Sequence, residues 1–323
     1  MTYSKLLYLL VCVLLMFSCH EKHNKTILRF GHQANETDIW HQSALKFKEV
    51  LEEKSEGQIE VRVYPAEQLG KERDLIRSIR LGIVDMTTTG ESMQNWVPIT
   101  SFCAIPYLIK DSEHLKKVVE GPIGKVISAE MIHRLGLRPI AYFERGPRNL
   151  TSNRPISHPE DLKGMILRVP TVPIFIKTWQ ALGAKPTPMT FSEVFTGLQQ
   201  GTIEAQENPL ALINSGGLYE VQQYLNLTEH VIGWVYIVLG EKKYQSLTPR
   251  LQEAILEAGK EMQAYHQQLF VEEEKMLLNR LIEKGMIVNE PDIDAFRQAA
   301  AKAVRQNLPN DLMELYEQIA KLQ

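Results

Sequence analysis

The sequence predicts an α/β protein of two domains. Three observations lead there: strand and helix patterns alternate over residues 27–88, the alternation resumes after Pro139, and the chain, at 323 residues, exceeds one ordinary domain. Ile27 to His32 alternates as a strand, and Trp40, Ala44, Phe47 and Leu51 recur at helical spacing within 39–54. Ile59, Val61 and Val63 define a second strand, ended by Pro65. Lys71 to Leu81 is a helix closed by Gly82, and Ile83 to Thr88 is a third strand. This order predicts a parallel sheet with helices on both faces, where ligands bind at the carboxyl ends of strands. His32-Gln33 and Thr87 to Gly90 occupy such ends.

A helix is predicted from about Ser112 to Leu135 and a strand over Pro139 to Glu144. The second alternation follows: strand Met165 to Val169, helix Ile174 to Leu182, a turn-rich K-P-T-P-M-T, helix Ser192 to Gln200 and strand Ile203 to Gln206. His230 to Leu239 is apolar and β-rich and could return to the first domain. Thr248-Pro249 starts a helix whose apolar spacing runs to Gly285, with Gly259 its one interruption. Such a length fits either one helix bridging two domains or two helices broken near Val271.

The composition is that of a globular protein with net charge −3, and no basic stripe points to nucleic acid. Lys5 precedes an apolar run, Leu6 to Phe17, too short to span a membrane and ended by Ser18-Cys19, so residues 1–18 are expected to be a signal peptide. Cys19 is expected to be the lipidated residue of a bacterial lipoprotein, with 19–26 a tether in the cell envelope. Once Cys12 and Cys19 are set aside, Cys103 alone remains, in an apolar run, and is expected in the core. No P-loop, G-x-G-x-x-G, G-x-S-x-G, H-E-x-x-H or paired C-x-x-C occurs, so no cofactor, metal or catalytic residue is expected.

Chemistry concentrates in Tyr142 to Leu210. Arg168 lies in M-I-L-R-V-P, a run otherwise apolar enough for a buried strand. A guanidinium stays charged, and burying it unpaired is very costly, so it needs an anion. That anion is either a carboxylate of the protein or one that arrives from outside. Arg148 stands after the Gly146-Pro147 bend, and Glu207-Asn208 stand just past the short strand Ile203 to Gln206. Trp179 and Trp234 are expected in the core.

V-Y-P followed by Gln68-Leu69-Gly70, then R-N-L-T-S-N-R-P-I, D-L-K-G-M-I-L-R-V-P, G-A-K-P-T-P-M-T-F-S-E-V-F-T-G-L-Q-Q-G and A-Q-E-N-P-L, in this order, resemble the extracytoplasmic solute-binding proteins of TRAP transporters. The resemblance implies a two-domain periplasmic-binding-protein-like fold with a central ligand cleft, a long helix across both domains, and closure over a small organic acid. The expected domains are 27–145 with about 234–271, and 146–233 with about 272–323. It implies that Arg168 pairs with the ligand carboxylate, and that Arg148 and Asn208, with Glu207 beside it, flank the same group. Phe191 would pack on the ligand, Glu72 would reach hydroxyls, and His230 would edge the cleft. The sialic-acid-binding members share Q-E-N-P-L, but Gly90, Gln33 and Thr171 replace polar groups of theirs. A smaller hydroxylated acid, a uronate or aldonate, is therefore expected, with His32, Gln33, Thr89 and Glu72 suited to its hydroxyls. Sialic acid or a four-carbon dicarboxylate are the other ligands, and an envelope enzyme or a sensor the other uses of such a cleft. The implied partners are the TRAP permease subunits; for the oligomeric state, which the residues leave open, a monomer is the default expectation.

Overall fold

The computed structural model describes residues 25–322. The expected signal segment, Cys19 and most of the tether lie outside the described residues. Within them the chain forms β1 (Thr26–Gly31), α1 (Ile39–Lys54), β2 (Ile59–Tyr64), α2 (Glu72–Leu81), β3 (Met86–Thr89), α3 (Ser112–Glu120), α4 (Pro122–Leu135) and β4 (Leu137–Ser152). There follow β5 (Ile166–Val169), α5 (Pro173–Ala181), β6 (Lys185–Pro188), α6 (Val194–Gln199), β7 (Ala205–Pro209), α7 (Leu210–Ser215) and β8 (Tyr224–Gly240). The chain ends with α8 (Glu241–Gln245), α9 (Pro249–Glu283), β9 (Ile287–Asn289), α10 (Ile293–Asn307) and α11 (Asn310–Lys321).

One sheet runs through the molecule in the order β2-β1-β3-β8-β4-β7-β5-β6, with β9 beside β8. Its two ends are parallel, as the alternation predicts, while β3-β8-β4-β7 are antiparallel. The long strands β4 and β8 make this possible, because each runs through both lobes. Leu137 to Glu144 pairs with the end of β8 in the first lobe, and Arg148 to Ser152 with its start in the second. Register shifts fall between Arg145 and Arg148 and between Arg148 and Leu150, so the ladder is irregular where the lobes join. The expected strand Pro139 to Glu144 is thus less than half of β4.

Other differences have local causes. The helix expected over 112–135 is two, separated at Gly121-Pro122; Pro cannot donate to a preceding turn, and a Cβ on Gly121 would meet the Lys117 carbonyl. The turn-rich K-P-T-P is β6, an edge strand, where prolines cost no ladder bond toward solvent. The long helix is unbroken at Val271. Its first half buries Leu251, Ile255 and Met262 with Phe30 and Phe47 of the first lobe, and its end buries Leu277 and Leu281 with Leu198 and Ile213 of the second. Gly259 is the point of closest approach: a Cβ there would lie 2.6 Å from the Ile140 carbonyl oxygen of β4. The end of the chain, expected with the second domain, crosses back. Phe296 of α10 lies in the second-lobe core with Trp179, whereas Leu312, Tyr316 and Ile319 of α11 pack with Leu115 and Val118 of the first. Trp179, Trp234 and Cys103 are core residues.

Candidate ligand cleft

A cleft of about 230 Å³ opens where the lobes meet. The first lobe lines it with Gln33, Glu72, Glu91 and Ser92, and the second with Arg168, Thr171, Phe191 and Asn208. Arg145 and Arg148, from the irregular turn of β4, form its floor.

Arg168 sits on β5, 3% exposed. Its Nε and Nη2 both donate to the Met189 carbonyl, at 2.9 and 2.6 Å, which fixes the plane of the guanidinium. Among the described residues no carboxylate oxygen lies within 4.0 Å of it. Burial, opposed by Glu207 and reinforced by Arg148, lowers its pKa to about 10, so it remains a cation at neutral pH.

Arg148 is paired internally. Its Nε and Nη2 donate to both carboxylate oxygens of Glu207, and Nη2 also reaches the Glu207 carbonyl at 2.8 Å and Asn208 Oδ1 at 3.2 Å. Behind it Glu207 Oε2 hydrogen-bonds with His230 Nε2 at 2.9 Å, and His230 Nδ1 with Thr228 Oγ1 at 2.9 Å. Burial alone would raise the Glu207 pKa; Arg148 and His230 hold it down to about 2. Burial pushes the His230 pKa below its ordinary value against the pull of Glu207.

Arg145 and Glu91 were not anticipated. Arg145 Nη1 donates to the two Glu91 oxygens at 3.0 and 3.3 Å, and the pair is more than nine-tenths buried. Nothing in E-R-G-P-R distinguishes Arg145 from a solvated bend residue, and Glu91 lies in a short 3-10 turn with no apolar period.

The sequence-predicted residues divide into two groups. Arg168, Arg148, Asn208, Glu72, Gln33, Thr171 and Phe191 come together on the cleft wall. Asn208 is held there by Gln206, whose Oε1 accepts from its Nδ2 at 2.7 Å. His32, Thr89, Glu207 and His230 do not line it. His32 turns into the core toward His41 (3.2 Å), and burial, then His41, lowers its pKa to about 4. Thr89 spends its hydroxyl on Glu72 Oε1 at 2.7 Å, while Ser92 holds Oε2 at 2.7 Å. Desolvation, then Glu91, raises the Glu72 pKa. Among the described residues no cluster of His, Cys, Asp or Glu could hold a metal ion, and no helix is long and apolar enough to cross a membrane.

Two lobes joined by shared strands, with a cationic cleft between them, define a solute-binding protein. The chain belongs to family 7 of the bacterial extracellular solute-binding proteins (DctP), whose family model matches residues 30–310. It is a TRAP solute-binding protein. A solute-binding protein of Roseobacter denitrificans is 47% identical over 308 residues, covering 95% of each chain. The crystal structure of a TRAP periplasmic solute-binding protein from that organism, with bound L-galactonate, superimposes with a TM-score of 0.90 at 48% identity, over 91% of this chain and 98% of that one. A 2,3-diketo-L-gulonate-binding periplasmic protein of Escherichia coli is 32% identical over 288 residues, 88% of each chain. A TRAP protein of Xanthobacter autotrophicus with bound β-D-galacturonate gives a TM-score of 0.87 at 28% identity, over 92% of this chain and all of that one.

Proposed function

We propose that this chain captures a sugar monoacid, an aldonate or a uronate, and delivers it to the permease subunits of a TRAP transporter. The observation that carries this reading is Arg168, a buried cation on the cleft wall with no carboxylate partner among the described residues. A ligand carboxylate supplies the missing anion through charge-assisted hydrogen bonds. Asn208 and the Arg148 edge flank that carboxylate. Gln33, Glu72, Ser92 and Thr171 take hydroxyls from both lobes, and Phe191 covers the carbon chain. Glu207 and His230 act from behind, by holding Arg148, and Thr89 by holding Glu72. The L-galactonate and galacturonate found in relatives support the same class. Closure follows from contacts that exist only when both lobes engage the ligand.

Mass spectrometry of acids released from the purified protein, with a thermal-shift panel of aldonates, uronates, sialic acid and four-carbon dicarboxylates, tests the class. A shift confined to dicarboxylates would refute it. Conversion of a bound acid to a new product would replace it with an enzymatic role. The same reading places the mature protein outside the cytoplasm as a monomer tethered through Cys19. Labelling with a radioactive fatty acid, lost in Cys19→Ala, is the expected result.

A further inference from the structure

Three guanidiniums of the cleft lining and two carboxylates, Glu91 on the lining and Glu207 behind it, form one buried cluster. Arg148 is held by Glu207, Arg145 is held by Glu91 at 3.0 Å, and Arg168 donates only to the Met189 carbonyl. Glu91 stands between the first two, with Oε1 also 3.9 Å from Arg148 Nη1. All five groups are less than a tenth exposed, so their charges are poorly screened.

We propose that Glu91 sets the charge number of the acid this cleft accepts: by neutralising Arg145 it leaves Arg168 the one uncompensated cation among these five buried groups, and so admits one carboxylate there and turns away a second. The proposal rests on the reading that Arg168 anchors a ligand carboxylate. Once that carboxylate is seated the charges of these five groups are balanced. A second carboxylate at the far end of the ligand then has no unpaired cation left among these five groups to meet, and faces Glu91 and Glu72 on the first lobe. Desolvating an unpaired carboxylate is costly, and like charges in the same space add to the cost. The remaining cations of the cleft wall act from its mouth. Lys71 is paired with Glu193 and Arg77 with Asp74, so these two discriminate weakly across solvent, while the half-buried Arg73, which has no ion-pair partner among the described residues, lies 5.6 Å over the Trp96 ring. Arg145, like Arg73, has an Nε that is buried without a partner, and Arg145 is the cation that Glu91 neutralises, so its charge and donors become available to a second carboxylate once Glu91 no longer competes.

Calorimetry with L-galactonate and with galactarate, the same carbon chain carrying a carboxylate at both ends, tests this at neutral pH. Wild-type protein should bind galactonate at least about tenfold more tightly. Glu91→Gln should shrink that ratio by about tenfold or more, chiefly by tightening galactarate. The double variant Glu91→Gln, Arg145→Gln restores the charge balance and should restore the preference. A melting curve checks that each variant folds, and the wild-type comparison needs no variant. Equal binding of both acids by the wild type, or an unchanged ratio in Glu91→Gln, would overturn the charge filter while leaving the sugar-acid reading intact. Binding of neither acid, with no response across the wider panel, would sink both.

Discussion

Replacing Arg168 by Lys keeps the charge and removes the planar fork. In the native cleft Nε and Nη2 are oriented by the Met189 carbonyl, which aims the rest of the guanidinium at the space a ligand carboxylate would fill. A lysine ammonium on a flexible stem offers no such plane. It retains most of the Coulomb attraction but loses about one well-directed charge-assisted hydrogen bond, worth roughly 1.5–3 kcal/mol. At 1.4 kcal/mol per tenfold, affinity for L-galactonate should fall by roughly 10- to 150-fold. Isothermal titration of wild type and Arg168→Lys with that acid measures it. A melting curve without ligand should show the variant folded, since the charge it buries is the same. If the two proteins bound within about twofold of each other, the carboxylate would sit elsewhere and Arg168 would be a structural cation satisfied by a carbonyl.

Glu207→Gln strips the buried Arg148 of its carboxylate; unfolding in denaturant should show a loss of about 3–5 kcal/mol, and a loss below about 1 kcal/mol would mean that the pair is not the brace described. His266 lies stacked on Phe143 at 3.9 Å, and burial lowers its pKa to about 3, so the native state holds it neutral while the unfolded chain protonates it near 6.5. Its contribution is therefore complete above pH 6.5 and is lost as pH falls toward 3, reaching about 2 kcal/mol at pH 5. His266→Phe should shrink the stability difference between pH 8 and pH 5 by that amount in urea titrations, and an unchanged difference would place the acid sensitivity elsewhere. Gly259→Ala should destabilise by about 1–3 kcal/mol despite the higher helix propensity of alanine, because the new Cβ meets the Ile140 carbonyl; a more stable protein by thermal melting would show that α9 can shift off β4 freely.

The alternation of short apolar strands and amphipathic helices was enough to place β1 to β3, β5 and α9, because local period reports which face is buried. It was silent on β6, where prolines mimic a loop, and on the length of β4, where Gly146-Pro147 looks like an end but is a bulge. For residues 286–322 the sequence placed no element and assigned the whole stretch to the second domain, although their helices complete both lobes. In the cleft, Arg168 was legible because a charge within an apolar run demands an anion. Whether Arg148 meets solvent, protein or ligand is a question of three-dimensional neighbours, and Glu207 answers it. His32 and Thr89 were placed correctly at strand ends, but alternation there turns one side chain into the core and gives the other a partner in Glu72. Arg145 and Glu91 find each other 54 positions apart, a separation that no local pattern encodes.

The crossing of the chain between lobes bears on the order in which the protein can form. Strand β3 lies between β1 and β8, and the core beneath it combines Leu75 and Phe102 with Trp234 of β8 and Tyr316 of α11. During synthesis from the N-terminus, the first lobe therefore waits for the last helix before its core can close. Such distant pairings make folding slow relative to that of a helical bundle. Neither lobe exists as a contiguous piece that could collapse early on the ribosome. Until α11 has been made, that core lacks Leu312, Tyr316 and Ile319 against Leu115, Val118 and Trp234.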